Sequence, residues 1–317
     1  MPKIYFIIIT YNAMKWAEKC FSSLRQSSVP VHCIVVDNGS TDSTQEYITT
    51  HFPEVEFIQS RENLGFGKAN NIGIEKAYIA GADFFYLMNQ DAWIYEDSVE
   101  KLLDVYQSHP NQKEIGILSP MHIDGTEEKL DIFLDKYIAH NFETRLISDL
   151  YFQSLKLFYE VKFINAAHWL LPKETIKTVG GFNPYFFHYG EDAEYVNRIL
   201  FHRKKTFLIP GSKVVHDGKQ SLSKVDYSKY QDLRIETNIM NPLLPNAIQS
   251  EKKALKQSML KNMLTGKINI YKKLYVKYRK IVLEEKKLLE IRQTVEKKGP
   301  SFLNININNW HYNTEND

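Results

Sequence analysis

Four times within the first 105 or so residues, a short apolar run of strand length ends in polar residues and is followed by a segment with helical spacing. The runs are Ile4–Thr10, Val31–Val36, Val55–Gln59 and Phe84–Met88. Continuous apolar runs of this length are typical of parallel strands that are buried on both faces. Strand–helix alternation of this kind predicts an α/β fold with a doubly wound, mostly parallel sheet.

Polar residues stand at the carboxyl end of each of these four predicted strands. They include Asn12, Asp37, Asn63 and Asp91. In open parallel sheets ligands bind at the carboxyl edge, where the strand ends meet. The order of elements therefore predicts that these four side chains surround one crevice.

The chain beyond residue 110 has a more mixed pattern. Further elements are expected in one continuous domain: short strands near Ile115–Ser119, Ile132–Tyr137, Glu160–Ile164, Thr206–Ile209 and Lys213–Val215, and helices near Lys173–Val179 and Asp192–His202. From about residue 226 strand patterns cease, and residues 250–298 have a helical composition. We therefore predict an α/β domain over residues 1–225, with halves 1–110 and 111–225. A helical, basic extension with a polar tail follows over residues 226–317.

The net charge of +2 conceals an uneven distribution. Residues 1–250 carry 25 basic and 31 acidic side chains, whereas residues 251–298 carry 15 basic and 5 acidic ones. A mildly acidic body argues against a protein that binds nucleic acid, and a separate basic segment indicates an attachment function.

Cellular location is predicted from what the sequence lacks. The two cysteines, Cys20 and Cys33, provide no disulfide framework and no metal-ligand spacing. The apolar run near the amino terminus is too short for a signal peptide, and no run approaches the length needed to cross a bilayer. We expect a cytoplasmic protein, or one that is peripheral on the inner face of the membrane.

Asp37 follows a buried strand and precedes Asn38-Gly39-Ser40, a sequence that also suits an ordinary turn. A carboxylate in this position can accept hydrogen bonds from a base or a ribose. The neighbouring strand end, Thr10-Tyr11-Asn12, favours this second interpretation.

The segment 61–71 is polar, contains Gly65 and Gly67, and leads into a helix. Backbone N–H groups at a helix start suit phosphate or polar sugar groups, although a plain glycine hinge is an equal alternative. The dinucleotide fingerprint is absent, because the first strand is followed by TYNAMK instead of closely spaced glycines.

Two further segments carry carboxylates. Asp91 closes Asn89-Gln90-Asp91, where its oxygens would suit Mg²⁺ or Mn²⁺, and His216 follows a later strand and could complete a metal shell. Glu191, Asp192 and Glu194 lie at a predicted helix start, where acids also interact favourably with the helix dipole. A carboxylate there, next to apolar residues 184–187, is a candidate general base.

An ordered set of segments, IIITYN, VVDNGSTDST, ENLGFGKANNIG, YLMNQDAW, GGFNPYFFHYGEDAEYVNR and VVHDGKQS, resembles glycosyltransferase family 2, the inverting group with the GT-A fold. The resemblance covers roughly 70% of the chain, from Ile4 to Ser221. NQDA and ENLGFGKANN are most similar to rhamnosyltransferase-like members. The family implies transfer of a sugar from a dTDP- or UDP-linked donor to a hydroxyl of a glycan or lipid-linked glycan, as in bacterial surface polysaccharide synthesis.

The resemblance also implies roles for individual residues. Asp192 would be the catalytic base, supported by Glu191, and a Mg²⁺ or Mn²⁺ ion would be held by Asp91 and His216. This sequence departs from the family's D-x-D motif, because Asn89 stands where the first acid is expected. The nucleotide sugar would be bound by Thr10, Asn12, Asp37, Asn63, Gly65, Lys68, Asn70 and Gln90.

Two alternatives to a transferase are considered. A sugar nucleotidylyltransferase would need a glycine-rich, basic loop after the first strand, which TYNAMKW does not supply. A non-catalytic sugar-nucleotide-binding relative would not need both Asp91 and Asp192.

The basic segment 251–298 has two interpretations. From Tyr271 onward, apolar residues recur with the spacing of a single helical stripe surrounded by lysines. The stripe predicts either contact with an anionic membrane surface or packing on the main domain or in a homodimer.

Overall fold

The computed structural model describes residues 1–139, 142–218 and 227–305. Its strands are β1 Ile4–Thr10, β2 His32–Asp37, β3 Glu56–Gln59, β4 Phe84–Asn89, β5 Ala92–Ile94, β6 Ile115–Ile123, β7 Tyr159–Val161, β8 His168–Pro172 and β9 Lys205–His216. Its α-helices are α1 Ala17–Arg25, α2 Thr44–His51, α3 Phe66–Ile79, α4 Ser98–Ser108, α5 Ile132–Ala139, α6 Leu146–Tyr151, α7 Lys173–Val179, α8 Glu191–Phe201, α9 Tyr227–Met240, α10 Ala247–Leu264 and α11 Ile268–Glu296.

One twisted sheet organises the molecule, with strand order β3-β2-β1-β4-β8-β6-β9-β5, and β7 pairs with β9. The first four strands are mutually parallel, and the register places Thr10 beside Asp37 and Ile9 beside Asn89. β8 is antiparallel to both β4 and β6, whereas β6 and β9 are parallel. The predicted α/β fold class is confirmed, and β8 joins its two halves into a single sheet.

Alternating side chains of the strands form a core on each face of the sheet. Ile7, Val36 and Leu87 pack on one side with α3, α7 and α8, and Phe6, Val35 and Tyr86 pack on the other side with α1, α2 and α4. Gly73 allows α3 to lie directly on β1, because a Cβ there would come within 2.4 Å of the Ile7 side chain. Burial on both faces explains why these strands are continuously apolar.

The structure departs from the sequence expectations mainly after β4. The segment Ile132–Tyr137 was expected to be a strand and is part of helix α5. Asp131 explains the difference, because its Oδ1 accepts the N–H groups of Phe133 and Leu134, as a helix cap does. The short strands β5 and β8 were not predicted, and the two strands expected over 206–215 form the single strand β9.

The carboxyl-terminal segment is helical, as predicted. Helices α9, α10 and α11 share a small core that includes Ile239, Leu255, Ile281 and Leu288, and Phe186 of the main domain joins it. Residues beyond α11 return to the main domain, where the Ser301 backbone lies so close to Gly180 that a Cβ on this glycine would be 2.2 Å from the Ser301 oxygen. The predicted polar tail beyond residue 305 lies outside the described residues.

Candidate functional site

The ends of β1 and β2 form a closed hydrogen-bonded group around Asp37. The Asp37 carboxylate accepts hydrogen bonds from Thr10 Oγ1 (3.0 Å), from the backbone and hydroxyl of Ser40 (2.7 and 2.5 Å), and from Gln59 Nε2 (3.1 Å). Thr10 and Asp37 are both fully buried. Asn12, with a positive φ of 51°, accepts the Thr41 N–H at 2.9 Å and so holds the loop after β2. These three predicted residues therefore hold the strand ends and loops at the crevice edge together and do not themselves line the cleft described next.

An open cleft of about 370 Å³ lies at this carboxyl edge. Four of the predicted nucleotide-sugar and metal residues line it: Asn63, Gly65, Gln90 and Asp91. The remaining lining residues are Ile9, Tyr11, Asn38, Phe66, Asn89, Phe187 and His188. Gln90 links two of the walls, since its side chain accepts the Tyr11 N–H at 2.7 Å and donates to the Tyr11 carbonyl at 3.2 Å.

Gly65 forms the junction between two walls of the cleft. Its φ is +79°, and a Cβ would lie 2.2 Å from the Phe187 carbonyl oxygen, which also accepts the Phe66 N–H. Asn63 supports this turn by accepting the Gly65 N–H at 2.9 Å. A glycine is therefore required here to bring the start of α3 against the loop that contains Phe187.

Two predicted residues on α3 do not line the cleft. Asn70 is buried and donates to the Phe66 carbonyl one turn earlier, whereas Lys68 is exposed on the helix surface. Their predicted contacts with the nucleotide sugar stay predictions. Asn38, which sequence reasoning left in a turn, is a cleft residue whose Oδ1 accepts the Leu64 N–H at 3.2 Å.

Asp91, which lines the cleft, lies next to His216, and their assignment as metal ligands stays a prediction. Asp91 Oδ1 lies 3.7 Å from His216 Nε2. Ligands about 2.1 Å from one ion are roughly 3–4 Å apart, so this separation suits two ligands of the same small cation. The Asn89 amide N lies 3.4 Å from the same His216 nitrogen, and its Oδ1 is buried without a hydrogen-bond partner in the described chain. An amide oxygen of this kind is a suitable third ligand, beside the Asp91 oxygen and the His216 nitrogen.

Asp131 is a functional candidate that sequence reasoning missed. Its Oδ2 lies 3.0 Å from His216 Nδ1, which leaves His216 Nε2 to face Asp91. Burial alone would lower the pKa of His216, but the Asp131 hydrogen bond and the charges of Asp91 and Asp217 raise it overall. Among described residues, no group of three or more His, Cys, Asp and Glu side chains has a geometry that could hold a metal ion. Any cation here would need the Asn89 oxygen or ligands supplied by a bound diphosphate.

Glu191 and Asp192 begin α8 a few residues after the cleft residues Phe187 and His188. Gly190 precedes them with a φ of +91°, and a Cβ there would be 2.5 Å from Leu233 of α9. Burial raises the pKa of Asp192 to about 6, although the Ala193 N–H at 2.7 Å opposes this. Burial and the neighbouring Asp192 charge raise the pKa of Glu191 to about 8. Asp192 therefore loses its proton at a lower pH than Glu191.

The third acid of this helix start has a structural role. Glu194 and Arg198 are fully buried and paired at 3.0 Å, and Arg198 also donates to the carbonyls of Val179 and Gly181.

Tyr137 of α5 lies near Asp192, and burial together with the charges of Asp192 and Asp131 raises the pKa of its hydroxyl. Of the three acids at the start of α8, Asp192 and Glu191 are therefore the candidates for a catalytic role.

A larger cavity of about 880 Å³ lies at the opposite end of β9, between β7 and α8. It contains none of the predicted site residues. Its charges are largely paired, with Lys205 between Glu114 and Glu160 and Lys162 on Glu143. It is therefore a poor match for an anionic ligand.

The α/β sheet order with a cleft at its carboxyl edge agrees with the GT-A fold that the sequence motifs predict. The chain belongs to glycosyl transferase family 2, since the model of this family matches residues 5–177. A solved structure of S. aureus TarS (residues 1–349, in complex with UDP) is 13% identical and has a TM-score of 0.54, covering 93% of this chain and 90% of that chain.

Similar proteins include two rhamnosyltransferases. The N-acetylglucosaminyl-diphospho-decaprenol L-rhamnosyltransferase of Mycobacterium tuberculosis is 24% identical over 69% of this chain and 77% of its own length. The dTDP-rhamnosyl transferase RfbF of Shigella flexneri is 24% identical over 67% of this chain and 68% of its own length. The chain spans only 16% and 44% of two other relatives, the chondroitin synthase of Escherichia coli and an uncharacterized glycosyltransferase of Haemophilus influenzae.

Proposed function

We propose that the protein is an inverting glycosyltransferase that moves a sugar from a nucleotide diphosphate donor to a hydroxyl of a glycan or lipid-linked glycan. One observation carries the proposal: Asp91 and the loop that leads directly into Asp192 line the same cleft. Asp192, whose pKa is raised by burial, follows the cleft residue His188 by four positions.

The names of the relatives favour particular substrates. One relative is a dTDP-rhamnosyl transferase, and another transfers L-rhamnose to a decaprenol-linked acceptor by its name. We therefore propose a dTDP- or UDP-linked donor and a role in bacterial surface polysaccharide synthesis. The aromatic side chain of Phe187, which is 60% exposed at the cleft, is suited to stack on the base or the sugar of such a donor.

A Mg²⁺ or Mn²⁺ ion would be held by Asp91 and His216, with Asn89 Oδ1 as a further oxygen ligand. Such an ion, when bound, neutralises charge on the departing diphosphate. Asp131 would fix the ring of His216 through Nδ1, the arrangement by which second ligand shells orient metal-binding histidines.

The proposed reaction is a single displacement. The Asp192 carboxylate takes the proton from the acceptor hydroxyl as its oxygen attacks the anomeric carbon from the face opposite the nucleotide. The bond from this carbon to the diphosphate oxygen breaks, and no covalent intermediate forms. Glu191 keeps its proton to a higher pH than Asp192, and while protonated it adds no second negative charge to the site.

The test is a screen of dTDP- and UDP-sugars with Mn²⁺, which follows thermal stabilisation and release of nucleoside diphosphate. A donor that binds the folded state should raise the melting temperature. Transfer to a glycan acceptor should invert the anomeric configuration, which NMR of the product detects. Stabilisation without any release would instead identify a non-catalytic sugar-nucleotide-binding protein, and the absence of both would contradict the proposal.

The location of the protein is also part of the proposal. No α-helix in the described ranges is long and apolar enough to cross a bilayer. We propose that the protein acts at the inner face of the membrane, held there peripherally by its carboxyl-terminal helices. The division into an α/β domain over residues 1–225 and an extension over residues 226–317 is likewise proposed.

A further inference from the structure

The apolar stripe that the sequence predicts on α11 is not available for a partner over most of its length. Ile281 and Leu288 are buried in the core shared with α9 and α10, and Leu274 and Tyr278 pack against that core. If the hairpin formed by α10 and α11 binds a lipid surface or another partner, the contact must therefore be made by different residues.

The tip of the α10–α11 hairpin, which we define as residues 260–273, has exposed apolar side chains on both helices. They are Leu260, Met263, Leu264, Ile268 and Ile270, with 47–75% of each exposed. Leu264 is nine residues beyond the buried Leu255, and Ile268 is six residues before Leu274. At about 1.5 Å per residue the tip extends roughly 9–14 Å past the last packed residues.

The charge of the tip is entirely positive. Residues 252–280 contain ten Lys and Arg residues and no Asp or Glu. Within the tip, Lys261, Lys267, Lys272 and Lys273 are all exposed, and none of them has an ion-pair partner in the part of the chain that the structure describes. Lysines farther along the hairpin do pair, as Lys280 does with Glu236 at 2.8 Å.

We propose that the α10–α11 tip inserts into the headgroup region of an anionic lipid bilayer, with its five apolar side chains below the lysines. Exposed apolar groups surrounded by basic side chains are the composition of interfacial membrane anchors, which enter the bilayer by about 5–10 Å. The charge selects an anionic lipid surface over a second copy of this chain, because two tips would repel each other. This inference rests on the proposed peripheral attachment and identifies the residues responsible.

The position of the hairpin connects the tip to the proposed chemistry. The middle of α11 packs on Phe186, in the loop that leads to Asp192. Lys280, which lies beside that loop, is 12 residues from Ile268, or roughly 18 Å along the helix. A membrane at the tip would therefore lie near the side from which a lipid-linked acceptor approaches Asp192.

The experiment measures binding of the full-length protein to vesicles of phosphatidylglycerol and phosphatidylcholine at low salt. We expect Leu264→Ser/Ile268→Ser to lower the partition coefficient at least tenfold, and Lys267→Gln/Lys272→Gln/Lys273→Gln to lower it by roughly fivefold for each lysine. The matched control is Leu150→Ser/Phe152→Ser, which removes equally exposed apolar side chains on and after α6 and should change binding less than twofold.

A second measurement reports insertion directly. Cys20 and Cys33 are both buried, so that a new surface cysteine can be labelled selectively. A polarity-sensitive fluorophore at Leu264→Cys should shift to the blue on anionic vesicles, whereas the same label at Ile79→Cys, a site of similar exposure on α3, should not.

Several results would overturn the proposal. They are absence of vesicle binding by the full-length protein, equal binding by both tip variants and the control, and conversion of a dimer into a monomer by the Leu264→Ser/Ile268→Ser change. Donor turnover is followed in the same samples. Absence of turnover in the unchanged full-length protein as well as in every variant would contradict the proposed catalysis, and the vesicle result would stand by itself.

Discussion

At the scale of single residues, Asp192 is the group whose environment differs most usefully from that of an ordinary surface acid. Its pKa of about 6 places it near the range in which a base is both ionised and able to take a proton. We expect Asp192→Asn to lower the rate of sugar transfer by about 100-fold or more, because the amide keeps the shape and loses the basicity. Binding of the donor, measured by calorimetry, should remain nearly unchanged.

The pH profile provides the control for this assignment. The wild-type rate should fall as the pH drops through about 6, when Asp192 becomes protonated. The residual activity of Asp192→Asn should lack this step. A variant that kept more than about a tenth of the wild-type rate, a barrier change of under ~1.4 kcal/mol, would remove Asp192 from the role of base.

Glu191 leads to a prediction about stability. Its pKa is about 8 in the folded protein and 4.5 ordinarily, so the unfolded chain releases this proton first as the pH rises. The stability associated with the protonated group is therefore present below about pH 4.5 and is lost as the pH rises through about 8. We expect Glu191→Gln to unfold in urea with a free energy about 1–3 kcal/mol above wild type at pH 8.5, and nearly equal to it at pH 4.5. Equal pH slopes for the two proteins would show that Glu191 is not buried as described.

Asp91 and His216 lead to a prediction about the cation. Asp91→Ala should weaken binding of a nucleoside diphosphate in the presence of Mn²⁺, since it removes the carboxylate from the pair. His216→Ala should weaken it less, because Asp91 and the Asn89 oxygen remain. Calorimetry with and without Mn²⁺ makes the measurement, and both variants should match wild type without the ion. If Asp91→Ala bound as tightly as wild type in Mn²⁺, Asp91 would not be a ligand.

At the scale of elements, the cleft depends on the contact between the start of α3 and the loop before α8. Gly65→Ala would place a methyl group 2.2 Å from the Phe187 carbonyl, at a backbone φ that disfavours side chains. We expect a loss of stability of about 1–3 kcal/mol and weaker donor binding, because the two walls must separate. Chemical denaturation and calorimetry measure the two effects.

The matched control is Gly211→Ala on β9, where an added Cβ has no atom within 4 Å and φ is not in the left-handed region. It should leave both quantities within about 0.5 kcal/mol of wild type. A Gly65→Ala protein that behaved like this control would show that the junction is not needed for the cleft.

The strands and helices differ in how well the sequence predicts them. β1, β2 and β4 were predictable because strands buried on both faces are continuously apolar and end in polar residues. The α5 segment, IFLDKYIA, is also apolar, and its length suits a strand or a helix equally. Its cap, Asp131, decides the matter, and that residue is at the same time hydrogen-bonded to His216.

At the scale of the whole molecule, the carboxyl-terminal extension is not a detached appendage. Phe186 lies in the α9–α11 core, Arg198 lies 5.3 Å from the Phe302 ring, and Asn71 donates to the Phe302 carbonyl at 3.2 Å. We expect a chain that ends at residue 250 to melt at least about 5 °C below the full-length protein, because buried apolar side chains of α9 become exposed. Differential scanning calorimetry makes the measurement.

Leu264→Ser is the control for this prediction, since Leu264 is 75% exposed and its replacement should leave the melting temperature unchanged. A shortened chain with an unchanged melting temperature would show that residues 251–305 add no stability to the α/β domain.

The sequence alone was sufficient for the α/β class, for the crevice at the strand ends and for the family motifs, because these depend on neighbouring residues. It also placed Asn63 and Asp91 at that crevice, where both line the cleft, whereas the roles of Asp91, His216 and Asp192 stay predictions. Local pattern has this power because burial on both faces of a strand, or on one side of a helix, imposes its own periodicity.

Only the tertiary structure decided which distant groups meet. The Asp131–His216 pair is separated by 85 residues and the Asn89–His216 contact by 127, and no local pattern records either one. The same holds for the α11 stripe. Its periodicity predicts one apolar face, and only the structure shows that α9 and α10 pack against most of that face. Which surfaces pack together depends on many elements at once, and in this chain that packing covers most of the stripe and leaves the lysine-rich tip exposed.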